Sequence, residues 1–540
     1  MMASFNLLRD PWIPCVSLGG DEHELGIQDV CLLSQEHASI RGDSPIEAVA
    51  IMRLIIAILH RVFGPKSSKA WQKMWEQGQF SETKLKAYLK MVADKFDLFD
   101  SANPFYQVPS LDLEKYGSPT SRLCLELSSG NNATLFDHSH EDRPCALSPA
   151  EAARRLVTYQ AFTPSGLVTY EKGKNEDKSA DAGLLSNCAV ITARGHNLFS
   201  TFMLNLAVYN PTDDLPIRSK TTDSPSWEQT QKTRAKDRKP LGYLDALTWQ
   251  SRRIKLGWKE SDTGIVVDRV AIMKGHQLPD NVSLYDCETM VAFLENTKAK
   301  PGQDPRPPLR FREARSLWRD SVALLQTIGQ RGRAVKMLDH INDLLVQGYL
   351  PDSFVLSLAA NGLCNARVGK IAFWRDESIP LPLSYLQEEA AVNALAIALQ
   401  DSEKVASALH YAGSQIGAYA TTGRAWSQLA GPSKNVARSC GDSIAVERCY
   451  WPKLNTAFDQ LVIALAADKE EIDGQVVFGQ ATLPEWRSTI VRRARLAFGE
   501  AVSGLDQTAR TLKAVAHGSR ILSNGLSALE NVWELRGGGA

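Results

Sequence analysis

Apolar positions between Ile46 and Val62 are nearly continuous, broken only by polar residues such as Glu47, Arg53 and His60. With Pro45 in the first turn and Gly64 past the end, the pattern predicts a buried helix over 45–63, too short and too polar to cross a bilayer. The opening Phe5-Asn-Leu-Leu-Arg-Asp-Pro-Trp-Ile-Pro14 reads as a short buried strand closed by two prolines, with Trp12 as anchor. The remainder of 1–40 reads as short strands and turns, and 67–97 as two further helices. Short strands and loops follow over 101–134. Ser148 and Glu151 form a capping box opening a helix that runs to about Phe162 and stops at Thr163-Pro164-Ser165-Gly166. Residues 184–210 alternate between strand and short helix, 247–256 has strand periodicity, 315–345 is helical, and 353–376 is strand and turn. After Pro380-Leu-Pro382 the period turns helical over 383–409, 445–466, 484–505 and 507–529, which predicts an antiparallel four-helix bundle. The expected fold class is α+β: a large mixed α/β N-terminal domain over 1–379, then an all-α four-helix bundle over 380–540.

The 540 residues are 44% hydrophobic, enough for a real core and for two to four domains. Lys+Arg and Asp+Glu both number 61, so net charge is zero. A free-standing nucleic-acid binder is usually basic, so any DNA contact here needs a local patch or an assembly that supplies the charge. The nine cysteines are widely spaced with no Cys-x-x-Cys pair, as expected of reduced thiols in a cytoplasm. The N-terminus lacks the basic and apolar regions of a signal peptide. There is no P-loop and no Gly-x-Ser-x-Gly elbow.

Ordered motifs carry a resemblance along nearly the whole chain. They are Phe5 to Pro14, Arg194-Gly-His-Asn-Leu-Phe-Ser-Thr-Phe-Met-Leu-Asn-Leu206, Pro225-Ser-Trp227, Leu241-Gly242, Leu247-Thr-Trp-Gln-Ser-Arg-Arg-Ile254, Leu317-Trp-Arg-Asp320, Ile371 to Pro382 and Val446-Glu-Arg-Cys-Tyr450. In this order they resemble the CasA family, the large subunits of the type I-E CRISPR surveillance complex (Cascade). The resemblance implies a non-catalytic subunit seated at the crRNA 5′ end. Its N-terminal domain would read the protospacer-adjacent motif (PAM) of duplex DNA from the minor groove and help open the strands. Its bundle would contact neighbouring subunits and DNA. The implied partners are the other subunits, crRNA, double-stranded target DNA and a recruited helicase–nuclease. No cofactor and no membrane are expected, and the isolated chain is expected to be a cytoplasmic monomer.

The candidate residues follow from that resemblance and from their chemistry. Leu135-Phe136-Asp137-His138 forms the apolar tip of a polar loop over 131–144, suited to docking or wedging into a partner. Pro164, Ser165 and Gly166 match a Gly-rich loop that approaches the minor groove, where glycine permits close approach and frees an amide donor; read alone, the segment is a helix-ending turn. Lys274 falls near a lysine that would donate to minor-groove acceptors. Asn365-Ala366-Arg367-Val368 occupies the segment of a strand-separating wedge, the wedge being Arg367 or Val368. Arg252, Arg253 and Lys255, with Lys232, Arg234, Lys236, Arg238 and Lys239 upstream, form the densest basic region, open to phosphate contact or to plain solvation. Some family members carry zinc on two Cys pairs, which this chain lacks. Asp137, His138, His140, Glu141 and Cys145 have the chemistry of metal ligands, and the Asp137–Asp142 cluster leaves open a metal-dependent nuclease or phosphohydrolase as one alternative. A purely helical scaffold is the other.

Overall fold

The computed structural model describes residues 3–126, 145–170, 178–230, 236–262, 264–313, 315–325, 335–351, 354–367 and 370–537. The chain divides into two compact units, one of 1–317, 326–352 and 356–378, the other of 318–325, 353–355 and 379–540. It is a mixed α/β protein with a C-terminal helical region.

The first unit opens on a small antiparallel sheet of β1 (Ile13–Ser17), β2 (Glu22–Leu25) and β3 (His37–Ile40), ordered β2-β1-β3. The strand expected from Phe5 begins only at Ile13. Upstream, the Asn6 side chain accepts from the Leu8 amide at 3.1 Å and the Asp10 carboxylate from the Asn6 amide at 2.6 Å, folding the segment into a turn. Trp12 does act as the anchor: it is fully buried, and its indole N–H donates to the Leu7 carbonyl at 2.9 Å.

Helix α1 (Pro45–Phe63) is buried along almost its whole length, and its polar interruptions each find a place. Glu47 lies 3.3 Å from Arg154 and 3.5 Å from Arg155 of α2 (Pro149–Phe162), which carries the expected Ser148–Glu151 capping box. Arg53 makes a two-pronged pair with Glu288, both bonds at 2.9 Å. His60 packs edge-on against the rings of Tyr209 and Tyr243.

Burial holds His60 down to about 3, with nearby His340 adding to the effect, and holds His340 down to about 4. Both are therefore neutral in the fold, whereas the unfolded chain protonates them near 6.5. Their stabilisation is complete above that pH and is lost as pH falls toward 4 and then 3. Unfolding free energy should drop by about 1.4 kcal/mol per pH unit per histidine in this window. Denaturant titrations at pH 7, 6 and 5 read the slope, and His60→Phe should flatten it; a profile unchanged by that substitution would contradict the assignment.

Beyond α2, a two-residue ladder pairs β4 (Gly166–Leu167) with β5 (Ser179–Ala180). Strand β6 (Val190–Arg194) leads into α3 (Leu198–Asn205), capped by Asn197. A long antiparallel hairpin follows, β7 (Arg252–Ser261) against β8 (Gly264–Lys274), in a register that sets Arg252 opposite Lys274. Strands β9 (Val355–Arg367) and β10 (Lys370–Pro382) join β6 in a sheet ordered β10-β9-β6.

In the second unit, α4 (Glu389–Thr422) is longer than the helix expected over 383–409. Next comes α5 (Gly431–Ile444), which the apolar pattern did not mark because only Ala437 and Ile444 of its residues are buried. A Cβ on Gly417 of α4 would stand 2.3 Å from the Ala437 carbonyl oxygen and 2.6 Å from the Gly441 nitrogen, so these two backbones are in contact. The single helix expected over 445–466 is broken into Val446–Tyr450, a 3₁₀ turn at Trp451–Leu454 and α6 (Asn455–Ala467). Pro452, with no amide hydrogen and a fixed φ, sits at the break. A small hairpin of β11 (Lys469–Ile472) and β12 (Gln475–Phe478) precedes α7 (Thr482–Ser503) and α8 (Ala509–Gly537). Trp486 of α7 is buried and donates to the Ala398 carbonyl of α4 at 3.0 Å.

Candidate nucleic-acid interface

The end of α2 and the open end of the β7–β8 hairpin are built around one buried cation. Gln160, buried on α2, pairs its amide with the Arg252 backbone, accepting from N–H and donating to C=O, both at 2.9 Å. The Arg252 guanidinium then donates to the carbonyls of Pro164 at 2.9 Å, Asp181 at 2.7 Å and Ser251 at 2.9 Å. Arg252 is 2% exposed, and burial pulls it below its ordinary pKa. The Thr163 carbonyl is held from the other side by the Gly183 amide at 2.8 Å and the Ser186 hydroxyl at 2.6 Å. The helix-ending turn is thus fixed on several carbonyls at once.

Gly166 leaves this turn at φ +147°, a conformation L side chains rarely adopt, and nothing lies within 4 Å of where a Cβ would stand. Three residues on, Thr169 bridges Met273 in parallel, which sets the turn beside the end of β8. Lys274, the last residue of that strand, is partly buried, and its ammonium lies 3.5 Å from Asp237. The structure therefore brings Pro164, Ser165, Gly166 and Lys274 to one edge. The polypeptide at 236–238 runs along the same edge, with the Arg238 amide donating to the Gln277 carbonyl at 2.9 Å.

The expected basic patch changes character here. Arg252 and Arg253 are buried, and the Arg253 Nε donates to the Lys274 carbonyl at 2.8 Å. Lys255 donates to the carbonyls of Pro109 at 2.7 Å and Leu111 at 2.8 Å. These three cations hold backbone rather than face solvent, because strand β7 turns their side chains toward carbonyls that no hydrogen bond within the sheet uses. Arg238 stacks on Trp249 at 4.4 Å and pairs with Asp245. Lys236 and Lys239 are the exposed cations of that segment, while Lys232 and Arg234 lie outside the described residues.

Asn365, Ala366 and Arg367 are the closing residues of β9, described as strand backbone alone, and Val368 lies outside the described residues. Leu135, Phe136, Asp137 and His138 also lie outside them, as do His140 and Glu141. Cys145 is half-buried, its carbonyl accepting from the Thr120 hydroxyl. Burial pushes the nearby Cys124 thiol up to about 12. Among the described residues no three His, Cys, Asp or Glu side chains form a group that could hold a metal ion. Sequence reasoning missed Gln160, whose signal was a polar residue on an apolar helix face.

Fold and site together define a two-unit, mixed α/β protein with a helical C-terminal region and a glycine–lysine edge on its first unit. The sequence model of CRISPR-associated protein Cse1 matches residues 6–497, and the chain belongs to this family, also called CasA. The CasA/Cse1 protein of Thermus thermophilus is 31% identical over 525 residues, covering 96% of both chains. The crystal structure of Thermobifida fusca Cse1 superposes with a TM-score of 0.80 at 24% identity, covering 98% of each chain. A chain of a CRISPR RNA-guided surveillance complex shares the fold with a TM-score of 0.72 at 19% identity, over 96% of this chain and 99% of that one. No helix among the described residues is long and apolar enough to cross a membrane.

Proposed function

We propose that this chain is the non-catalytic, PAM-reading large subunit of a type I-E CRISPR surveillance complex. It docks at the crRNA 5′ end through the Leu135–His138 loop and through its C-terminal helices, which act as a four-helix bundle against neighbouring subunits. Target duplex is guided by phosphate contact, with Lys236 and Lys239 the exposed cations of the edge. Gly166, Lys274 and the 365–370 turn enter the minor groove, glycine by backbone approach and lysine by donating to base acceptors. Part of the binding free energy offsets unpairing of the first base pairs and seeds the RNA–DNA hybrid, a division of labour between short protein readout and base pairing. A helicase–nuclease is then recruited. The setting is cytoplasmic, and the isolated chain is monomeric.

The observation that carries this reading is the Arg252 strut. Through it the turn presenting Gly166 and the strand presenting Lys274 share one rigid support, as two probes of one groove must. The test is duplex binding by the crRNA-loaded assembly with and without this chain, on DNA with an intact and an altered motif. A PAM-reading subunit restores binding on the intact duplex alone.

A further inference from the structure

We propose that a cavity in the first unit, at the start of α1, binds a single uncharged nucleobase by its edge, on Ser44, Thr192 and Asn361. This site is independent of PAM reading. The cavity measures about 370 Å³, within the roughly 300–1,000 Å³ of small-molecule sites. Its walls come from the end of β3, the first turns of α1, the strands β6 and β9, and the start of α3.

Ser44, Thr192 and Asn361 are 5%, 2% and 4% exposed, yet their side chains have no hydrogen-bond partner among the described residues. Ser44 stands in the capping position of α1, but its hydroxyl makes no cap bond. Thr192 lies opposite Ala359 in the β6–β9 ladder, and Asn361 is two residues further along β9 on the same face, so the two are diagonal neighbours. Buried polar groups are nearly always bonded, and three that line one cavity without a partner point to a ligand. The charges at the rim decide its kind. Arg41 pairs with Glu22, Asp43 with Arg155 at 3.1 Å and Arg194 with Asp376 at 3.5 Å, so each charged side chain described there is already matched. An ion would enter with no counter-charge waiting for it, whereas a neutral polar ligand needs none. Two hydroxyls and a carboxamide supply both donors and acceptors, as the edge of a base requires. Val49, Met52 and Leu198 supply apolar surface for its flat faces.

The test titrates the isolated full chain with adenosine, guanosine, cytidine and uridine, read by calorimetry and ligand-observed NMR, with ribose as control. At least one nucleoside should bind with a Kd on the order of 0.1 mM, as ligand efficiency allows for a molecule of that size, and ribose should not. Asn361→Leu and Ser44→Ala should each weaken binding roughly tenfold. Neither should lower the melting temperature, because the native side chains make no bond that the fold would lose; side chains placed there for stability alone would show the opposite. Adding crRNA to the isolated chain separates the two sources of a base: displacement of the nucleoside marks an RNA base, persistence the free nucleoside. Failure of all four nucleosides at millimolar concentration, equal binding of ribose, or variants that bind as wild type would overturn the proposal and leave a cavity for water alone. None of these outcomes touches motif discrimination by the assembly, so PAM reading stands or falls separately.

Discussion

Replacing Arg53 with methionine should lower the unfolding free energy by about 3–5 kcal/mol, because Glu288 is left charged and buried without its partner. The two side chains are 4% and 1% exposed, and water cannot substitute for the lost guanidinium. The pair joins α1 to a segment 235 residues away, so its loss reaches across the first unit. Glu288 has a second task, accepting from the amides of Thr289 at 2.9 Å and Met290 at 2.8 Å. Glutamine at 288 keeps an oxygen for those amides while removing the charge. The double variant Arg53→Met/Glu288→Gln should therefore recover a substantial part of the loss seen in Arg53→Met alone. Denaturant unfolding of the singles and the double gives the coupling directly. Additive losses would mean that the pair is not the unit described.

Arg252→Met should be nearly as damaging, for a different reason. Methionine fills much of the stem's volume but leaves the carbonyls of Pro164 and Asp181 without a donor. Bonds from a charged donor contribute about 1.5–3 kcal/mol each, so a total loss of about 3–5 kcal/mol is expected. The loss should be local in its dynamics: amide exchange should quicken at Val168 and Gly183, whose hydrogen bonds depend on the turn, more than in the β7–β8 ladder. If the proposed function holds, in the assembled complex the same variant should loosen the Gly166 turn and the Lys274 strand and weaken motif-duplex binding more than binding of motif-altered DNA. Unchanged melting and exchange would show that the turn holds itself.

Arg252 also shows where the sequence stops being informative. Two adjacent arginines and a lysine on a strand read as a basic surface, because charge is visible in the sequence and the destination of a side chain is not. What buries Arg252 is a set of carbonyls at 164 and 181, about 70 to 90 residues away in sequence, together with Gln160. The capping box at Ser148 and Glu151 was legible because all its partners lie within one turn. Helix α5 was not: Gly431, Pro432, Ser433, Ser439 and Gly441 are weak helix formers, and close packing of Gly417 against Ala437 and Gly441 supports the helix where propensity does not. The opening segment misled in the opposite sense, since its apolar pattern is that of a strand while Asn6 and Asp10 fold it into a turn. Family membership, by contrast, was legible from motifs in order, because each survives as sequence whatever its local geometry. Of the candidate edge, Gly166 and Lys274 were readable as residue types. Their shared support through Arg252 was visible only in three dimensions.

The proposed function makes DNA binding by the assembly depend on a short duplex motif read by this chain. The most direct measurement is an electrophoretic shift of target duplex by the crRNA-loaded assembly, with and without the chain, on intact and altered motifs. The expected result is tight binding only with the chain present and the motif intact, and a loss of that preference in Lys274→Ala. Binding that is equally tight without the chain, or that ignores the motif when the chain is present, would contradict the account and leave the protein a scaffold.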